Sequence, residues 1–204
     1  WDEAQILERL PIYSLDSFYP PKAREDDEFG ESNGAQLHGA VYWPNGGYVT
    51  DPALSAQNLM DAAKLHGAEV RLGAEVAEIV QEGGRVKGVK LASGEVLNAP
   101  VVVNVAGPGS AIINELAGIT EEMTIQTRPL RQEVVHVPSP EGFDFEGTAP
   151  VVSDNDIGCY VRPEHGNHIL IGSEDPECDA HDWTADDKEY DRNFTEQWTT
   201  QAMR

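Results

Sequence analysis

Gly39-Ala-Val-Tyr-Trp-Pro-Asn-Gly-Gly-Tyr-Val-Thr-Asp-Pro52 and Val101-Val-Val-Asn-Val-Ala-Gly107 bracket the part of the chain whose reading decides the fold. The first stretch leads from an extended segment through a Pro-Asn-Gly-Gly turn to Asp51-Pro52. Asp is a favoured N-cap and Pro is favoured in the first helical turn, so a helix is expected to follow. Ala56, Leu59, Met60 and Ala63 recur at helical spacing as one apolar stripe, and Gly67 is the expected stop. The second stretch is apolar at every strand position except Asn104. That pattern predicts a central strand over 101–105, covered on both faces. Gly107-Pro-Gly109 then turns into a short helix over 110–116, with Gly118 as its stop.

Working outward, residues 69–73, 75–81, 85–91 and 96–97 read as short strands. Gly83-Gly84 and Ser93-Gly94 make the turns of a meander. Upstream, residues 1–10 read as a helix with Ile6, Leu7 and Leu10 on one face, 24–31 as a solvated acidic loop, and 37–42 as a strand. Past Thr120 the texture is all-β, with strands expected at 131–137, 149–152, 158–162 and 168–172 between Pro and Gly turns. Residues 186–204 read as a helix with Tyr190, Phe194 and Trp198 spaced four apart. Its apolar face needs a partner surface.

Charge is the compositional outlier. Thirty-six acidic residues face fourteen basic ones, only five of them Lys, for a formal net charge of −22 in 204 residues. A field of that sign disfavours nucleic acid and anionic membrane as partners. An acidic, Lys-poor surface fits a halophilic protein, or an acidic mesophilic one with a few local carboxylate runs. No apolar run reaches the length of a membrane span, so membrane insertion is not expected. Cys159 and Cys178 lack metal or redox spacing, which suits free thiols in a reducing, cytoplasmic compartment.

Motifs narrow the chemistry. Strand, glycine turn and helix start at 101–110 can form an anion-binding corner, or simply a tight turn joining a core strand to a helix. Gly107 and Gly109 fill two places of a dinucleotide fingerprint, but Ile112 stands at the third. The six histidines show no metal-ligand spacing beyond His165 and His168 in a turn, so no metal is expected. Ser110 lacks the GxSxG setting of a hydrolase nucleophile.

An ordered series of residues resembles a known family. The series comprises the stretch 39–52, Leu54, Leu59, Ala62-Ala63, Gly67-Ala68, Val76, Ile79, Val86, Gly88-Val89, Gly94, the run 101–107, Tyr160-Val-Arg-Pro163 and Ile171-Gly172. It is similar to the FAD-dependent amine oxidoreductases, relatives of D-amino-acid oxidase, sarcosine oxidase and dimethylglycine dehydrogenase. The resemblance implies a mixed α+β and α/β fold: an antiparallel-sheet substrate domain interwoven with part of an FAD-binding α/β domain. Residues 1–50 would be a substrate-domain segment with a helix remnant, and 51–118 part of the FAD-binding domain, with the strand at 101–105 in a parallel neighbourhood. Residues 119–185 would be the substrate-domain antiparallel sheet, and 186–204 a truncated terminal helix. The family's opening GxGxxG and closing flavin segment lie outside this sequence, so the chain is expected to be an internal fragment. As such it would be inactive alone, without bound FAD, and prone to self-association.

The resemblance also assigns roles. Val76 matches the position whose backbone meets the adenine, while Ala106, Gly107 and Gly109 match the turn near the cofactor. Tyr160 and Arg162 match a strand facing the substrate, where Arg would pair a carboxylate and Tyr would donate a hydrogen bond. Leu170 and Glu174 stand where sarcosine oxidases carry basic residues, and Glu174 departs from that pattern. The implied reaction is oxidation of a C–N bond of a small amine or amino acid by hydride transfer to FAD. Two other readings stand beside it. One is an oxidoreductase of the same fold acting on a 2-hydroxy acid or glycerol phosphate; the other is a non-catalytic module binding a ligand or partner.

Overall fold

The structure, a computed structural model, describes residues 1–184 and 191–204. In chain order the helices are α1 (Glu3–Arg9), α2 (Pro52–Leu65), α3 (Ser110–Leu116), α4 (Phe145–Thr148) and α5 (Gln197–Met203). The strands of the two main sheets are β1 (Val76–Glu82), β2 (Arg85–Leu91), β3 (Val96–Asn98), β4 (Val134–Pro138), β5 (Val152–Asp154), β6 (Cys159–Glu164) and β7 (His168–Ser173). The chain divides into two units and passes between them more than once. One gathers Trp1–Gly47, Leu130–Asp182 and Asp191–Arg204; the other holds Tyr48–Pro129 with Trp183 and Thr184. The fold is mixed, with helices and antiparallel sheets.

In the unit holding Tyr48–Pro129, the Asp51-Pro52 signal works as expected. The Asp51 carboxylate accepts from the Leu54 N–H at 2.8 Å, Pro52 opens α2, and Gly67 beyond the helix is left-handed with φ 91°. Strands β1, β2 and β3 form an antiparallel meander, its register running from Val76 opposite Leu91 to Glu82 opposite Arg85. Ile79 and Leu91 are its buried apolar residues. Helix α3 packs on β1, tied by Gln81 Nε2 donating to the Ala117 carbonyl at 2.7 Å.

Three expectations fail in this unit. Residues 101–105 form no strand, and Val101, Val103 and Val105 are 70%, 73% and 86% exposed. An apolar run becomes a buried central strand only where strands pair with it on both edges and layers cover both faces, and no described strand pairs with this one. The parallel neighbourhood is likewise absent, because every ladder of the two main sheets is antiparallel. Residues 69–73 form no strand either. The apolar stripe of α2 is not buried: Met60 is half-buried, and Ala56, Leu59 and Ala63 are exposed. Capping and intrinsic propensity specify that helix without a partner surface.

The other unit is built on a four-stranded antiparallel sheet in the order β4-β7-β6-β5. Its register places Val135 opposite Ile171 and Val161, with Val137 opposite Ile169 and Pro163. Strand side chains alternate between faces, so these residues share a face with Cys159. That is the core face. Val135, Cys159 and Ile169 are buried there, α5 packs on β4 and β7, and α4 packs on β6 and β7.

Two further corrections belong to this unit. Residues 37–42 are extended but make only an isolated bridge, Asp2 to Gly39. The last helix is Gln197–Met203, much shorter than 186–204; Tyr190 and residues 186–189 lie outside the described residues, and Phe194 is exposed and precedes the helix. Arg131 and Glu133 account for the late start. Arg131 Nε donates to the Asp191 carbonyl and Nη2 to that of Asn193, each at 2.6 Å, while the Thr195 N–H donates to Glu133 Oε1 at 2.9 Å. Backbone groups that a helix would use are engaged instead by this buried ion pair, whose own Nη2–Oε1 distance is 2.7 Å.

Candidate functional site

Tyr160, Arg162 and Glu164 alternate with Cys159, Val161 and Pro163 along β6, so they project from the face opposite the core. The register adds Gly172, Leu170 and His168 from β7, then Val134, His136 and Pro138 from β4. Ser153 joins them from β5, directly opposite Tyr160. This face is half-open. Tyr160, Arg162, Glu164, Leu170 and His168 are half-buried, whereas Ser153, Val134 and His136 are exposed.

Gly172 explains how Tyr160 lies. A Cβ added at Gly172 would fall 2.2 to 2.4 Å from Cζ, Oη and Cε1 of Tyr160. The phenol ring therefore lies across β7 in the space that only glycine leaves. Beside it, Arg162 Nη2 donates to Glu164 Oε2 at 3.0 Å, and Glu164 Oε1 accepts from the His165 N–H at 3.1 Å. On Tyr160's other side, Ser153 Oγ donates to Glu174. The rings of His136 and His168 stack at 4.7 Å between centroids. The expected substrate residues Tyr160 and Arg162 thus share one face with Glu164 and His136, to which the sequence pattern gave no role, and with His168, which was expected in a turn but opens β7.

Among the described residues the same unit also has two open pockets, one of about 220 Å³ lined by Phe18, Lys22, Met203 and Arg204, and one of about 300 Å³ lined by Tyr19, Gly158, Glu174 and Cys178. Both cysteines are free thiols. Burial pushes the Cys159 thiol up to about 11, which makes it a poor nucleophile. Among the described residues no group of three or more His, Cys, Asp or Glu could hold a metal. No described helix is long and apolar enough to cross a membrane.

In the other unit, Gly107–Gly109 forms a 3-10 turn that runs directly into α3. Asn104, the polar exception in the valine run, organises the corner. Its Nδ2 donates to the Ser110 carbonyl and to Asn114 Oδ1, both at 2.9 Å, and its Oδ1 accepts from the Ala106 N–H at 3.2 Å. Gly107 is left-handed at φ 57°, with no atom within 4 Å of where a Cβ would stand. No side chain caps the start of α3. A left-handed glycine, small neighbours and an uncapped helix start fit the polar part of a flavin nucleotide. Ala106, Gly107 and Gly109 are contiguous here. Val76 lies in the same unit, half-buried at the start of β1 opposite Leu91.

Comparison with known proteins fits this architecture. The chain is 29% identical over 136 residues to the sarcosine oxidase subunit beta of Arthrobacter sp, which covers 66% of this chain and 31% of that protein. It is 42% identical over 93 residues to one of the subunits of the anaerobic glycerol-3-phosphate dehydrogenase of Escherichia coli, covering 43% of this chain and 17% of that protein. The chain thus spans about a third or less of the length of these curated relatives. A crystal structure of L-proline dehydrogenase from P. horikoshii shares the fold, with a TM-score of 0.55, 23% identity, and coverage of 72% of this chain and 36% of that one. The family described as DAO, FAD dependent oxidoreductase, matches residues 5–201, and the chain belongs to that family.

Proposed function

We propose that the intact protein oxidises a C–N bond of a small amine or amino acid of the sarcosine, dimethylglycine or D-amino-acid type. The observation carrying this reading is the placement of Tyr160 and Arg162 side by side on the half-open face of the antiparallel sheet. Bound FAD supplies a two-electron acceptor for the hydride leaving the carbon next to nitrogen. Arg162 would hold a substrate carboxylate by a charge-assisted hydrogen bond, and the Tyr160 hydroxyl would donate to the same substrate. The Tyr160 ring, lodged over Gly172, supplies an apolar wall against which the reacting carbon can rest. In the turn of Ala106, Gly107 and Gly109 the Ala106 and Gly109 N–H groups are held by Asn104 and by the Ala106 carbonyl, so Gly107 would offer its backbone N–H to the cofactor while Ala106 and Gly109 shape the turn, with Val76 beside its adenine.

A second reading has its own support. The 42% identity to part of a glycerol-3-phosphate dehydrogenase points to a C–O bond. The deciding experiment is anaerobic flavin bleaching of the intact protein by N-methylglycine, D-proline, lactate and glycerol 3-phosphate. Bleaching by the amines alone supports the first reading. Bleaching by lactate or glycerol 3-phosphate alone replaces it with the second. Gly107→Val should lower the flavin content of the purified intact protein, because φ 57° is strained for a β-branched residue. Unchanged flavin content in that variant would count against a cofactor role for the corner.

A further inference from the structure

Arg162 is the one Lys or Arg on the four strands of the sheet, and it already has a counter-ion. Glu164 stands two residues further along β6 on the same face, with its Oε2 3.0 Å from Arg162 Nη2. The two side chains are only 23% and 32% exposed, so water screens the pair less than it would a surface pair. Glu164 is not a loosely tethered carboxylate, since its other oxygen accepts from the His165 N–H at 3.1 Å. The hairpin that carries it is clamped to α4. Asn167, left-handed at φ 54°, accepts at Oδ1 from the Phe145 N–H at 2.8 Å and donates its own N–H to Glu146 Oε2 at 2.7 Å. His165 Nδ1 lies 3.1 Å from Glu146 Oε1, which adds a third tie. Glu146 is held below the usual carboxylate range, first by the Asn167 N–H and then by His165, so it remains charged at neutral pH. At the opposite end of the face, Glu174 is bonded to Ser153 beside Tyr160.

A substrate carboxylate arriving at Arg162 must therefore compete with a fixed carboxylate and approach a face flanked by acids. An amine without a carboxylate meets no such competition, and its ammonium form is attracted by Glu164 and Glu174. We propose that Glu164 tunes substrate specificity by competing with the substrate carboxylate for Arg162, so that its charge sets how tightly α-amino acids bind relative to amines that lack a carboxylate. This inference rests on the reading above that the face of Tyr160 and Arg162 receives the substrate.

The test uses the intact flavoprotein and its Glu164→Gln, Glu164→Asp, Arg162→Ala and Glu164→Gln/Arg162→Ala variants. Acetate is the carboxylate probe, with its Kd read by calorimetry, and N-methylglycine and N-methylpropylamine are compared by kcat/KM. Glu164→Gln should tighten acetate and lower the KM of N-methylglycine roughly tenfold, the size expected when one charge-assisted competitor is removed. The KM of N-methylpropylamine should stay unchanged or rise. Glu164→Asp, which keeps the charge, should stay nearer the parent than Glu164→Gln does. In the Arg162→Ala background the Glu164→Gln effect should vanish. If Glu164→Gln leaves acetate and N-methylglycine unchanged while Arg162→Ala weakens both, the role of Glu164 is overturned and the site reading stands. If Arg162→Ala also changes neither, both fall. The flavin absorbance and Tm of each variant separate a specificity effect from misfolding.

Discussion

Gly172→Ala is the substitution whose consequence follows most directly from the geometry. The added methyl would stand 2.2 to 2.4 Å from three atoms of the Tyr160 ring. Carbon atoms in contact sit at about 3.5–4.0 Å, so the ring must retreat by roughly 1 Å or more. Overpacking of this kind costs about 1–3 kcal/mol. Gly172 is not in the left-handed region, so alanine also stiffens the unfolded chain and returns about 0.4–1 kcal/mol. The expected net effect is destabilisation by about 1–2 kcal/mol. In a Tyr160→Ala background the clash is gone, and the same substitution should be neutral or slightly stabilising. Urea denaturation of the parent, the two single variants and the double variant closes the cycle, with an expected coupling of about 1–3 kcal/mol. Equal costs of Gly172→Ala in both backgrounds would refute the packing of Tyr160 over Gly172, and with it the position assigned to the phenol on the open face.

Three further outcomes are expected. Burial pushes the Glu133 carboxyl up, but hydrogen bonds from Thr195 and Arg131 outweigh it and hold the group below its ordinary range. Its stabilising contribution is therefore full above the ordinary carboxylate pKa and is lost as pH falls through the depressed folded value; Glu133→Gln should cost about 3 kcal/mol at pH 7 and flatten the acid limb of a stability–pH curve. Cys159, buried and raised to about 11, should resist maleimide at pH 7.5 in the folded protein and react once urea unfolds it, as read by mass spectrometry; prompt labelling in the folded state would contradict its burial. At a net charge of −22, self-repulsion should be relieved by counter-ions, so Tm should climb by several degrees from dilute buffer to molar salt. A flat Tm across that range would rule out a halophilic adaptation.

Local chemistry made some of this protein legible in its sequence alone. Asp51, Pro52 and Gly67 mark the two ends of α2, because a cap, a fixed φ and a left-handed stop each act within one helical turn. The paired glycines at 83–84 and the alternation around them specify the hairpin of β1 and β2 for the same reason. Tyr160 and Arg162 could be singled out through the ordered resemblance, and period-two alternation already places them on one face of a strand.

Tertiary structure decided what depends on partners distant in sequence. Burial of 101–105 could not be read from five positions, since it requires neighbouring strands and covering layers that no local pattern encodes. The late start of α5 comes from Arg131 and Glu133, which stand roughly sixty residues away and capture its preceding backbone. Asn104 looked like a flaw in an apolar run, yet it is the latch that joins that run to α3. The ring of Tyr160 over Gly172 depends on cross-strand register, which pairs residues twelve apart. The pairing of Arg162 with Glu164 needs the clamped hairpin at 164–168. Sequence fixes which groups can cap, turn or alternate within a few residues, because those interactions close locally; register and packing between distant segments fix which groups meet.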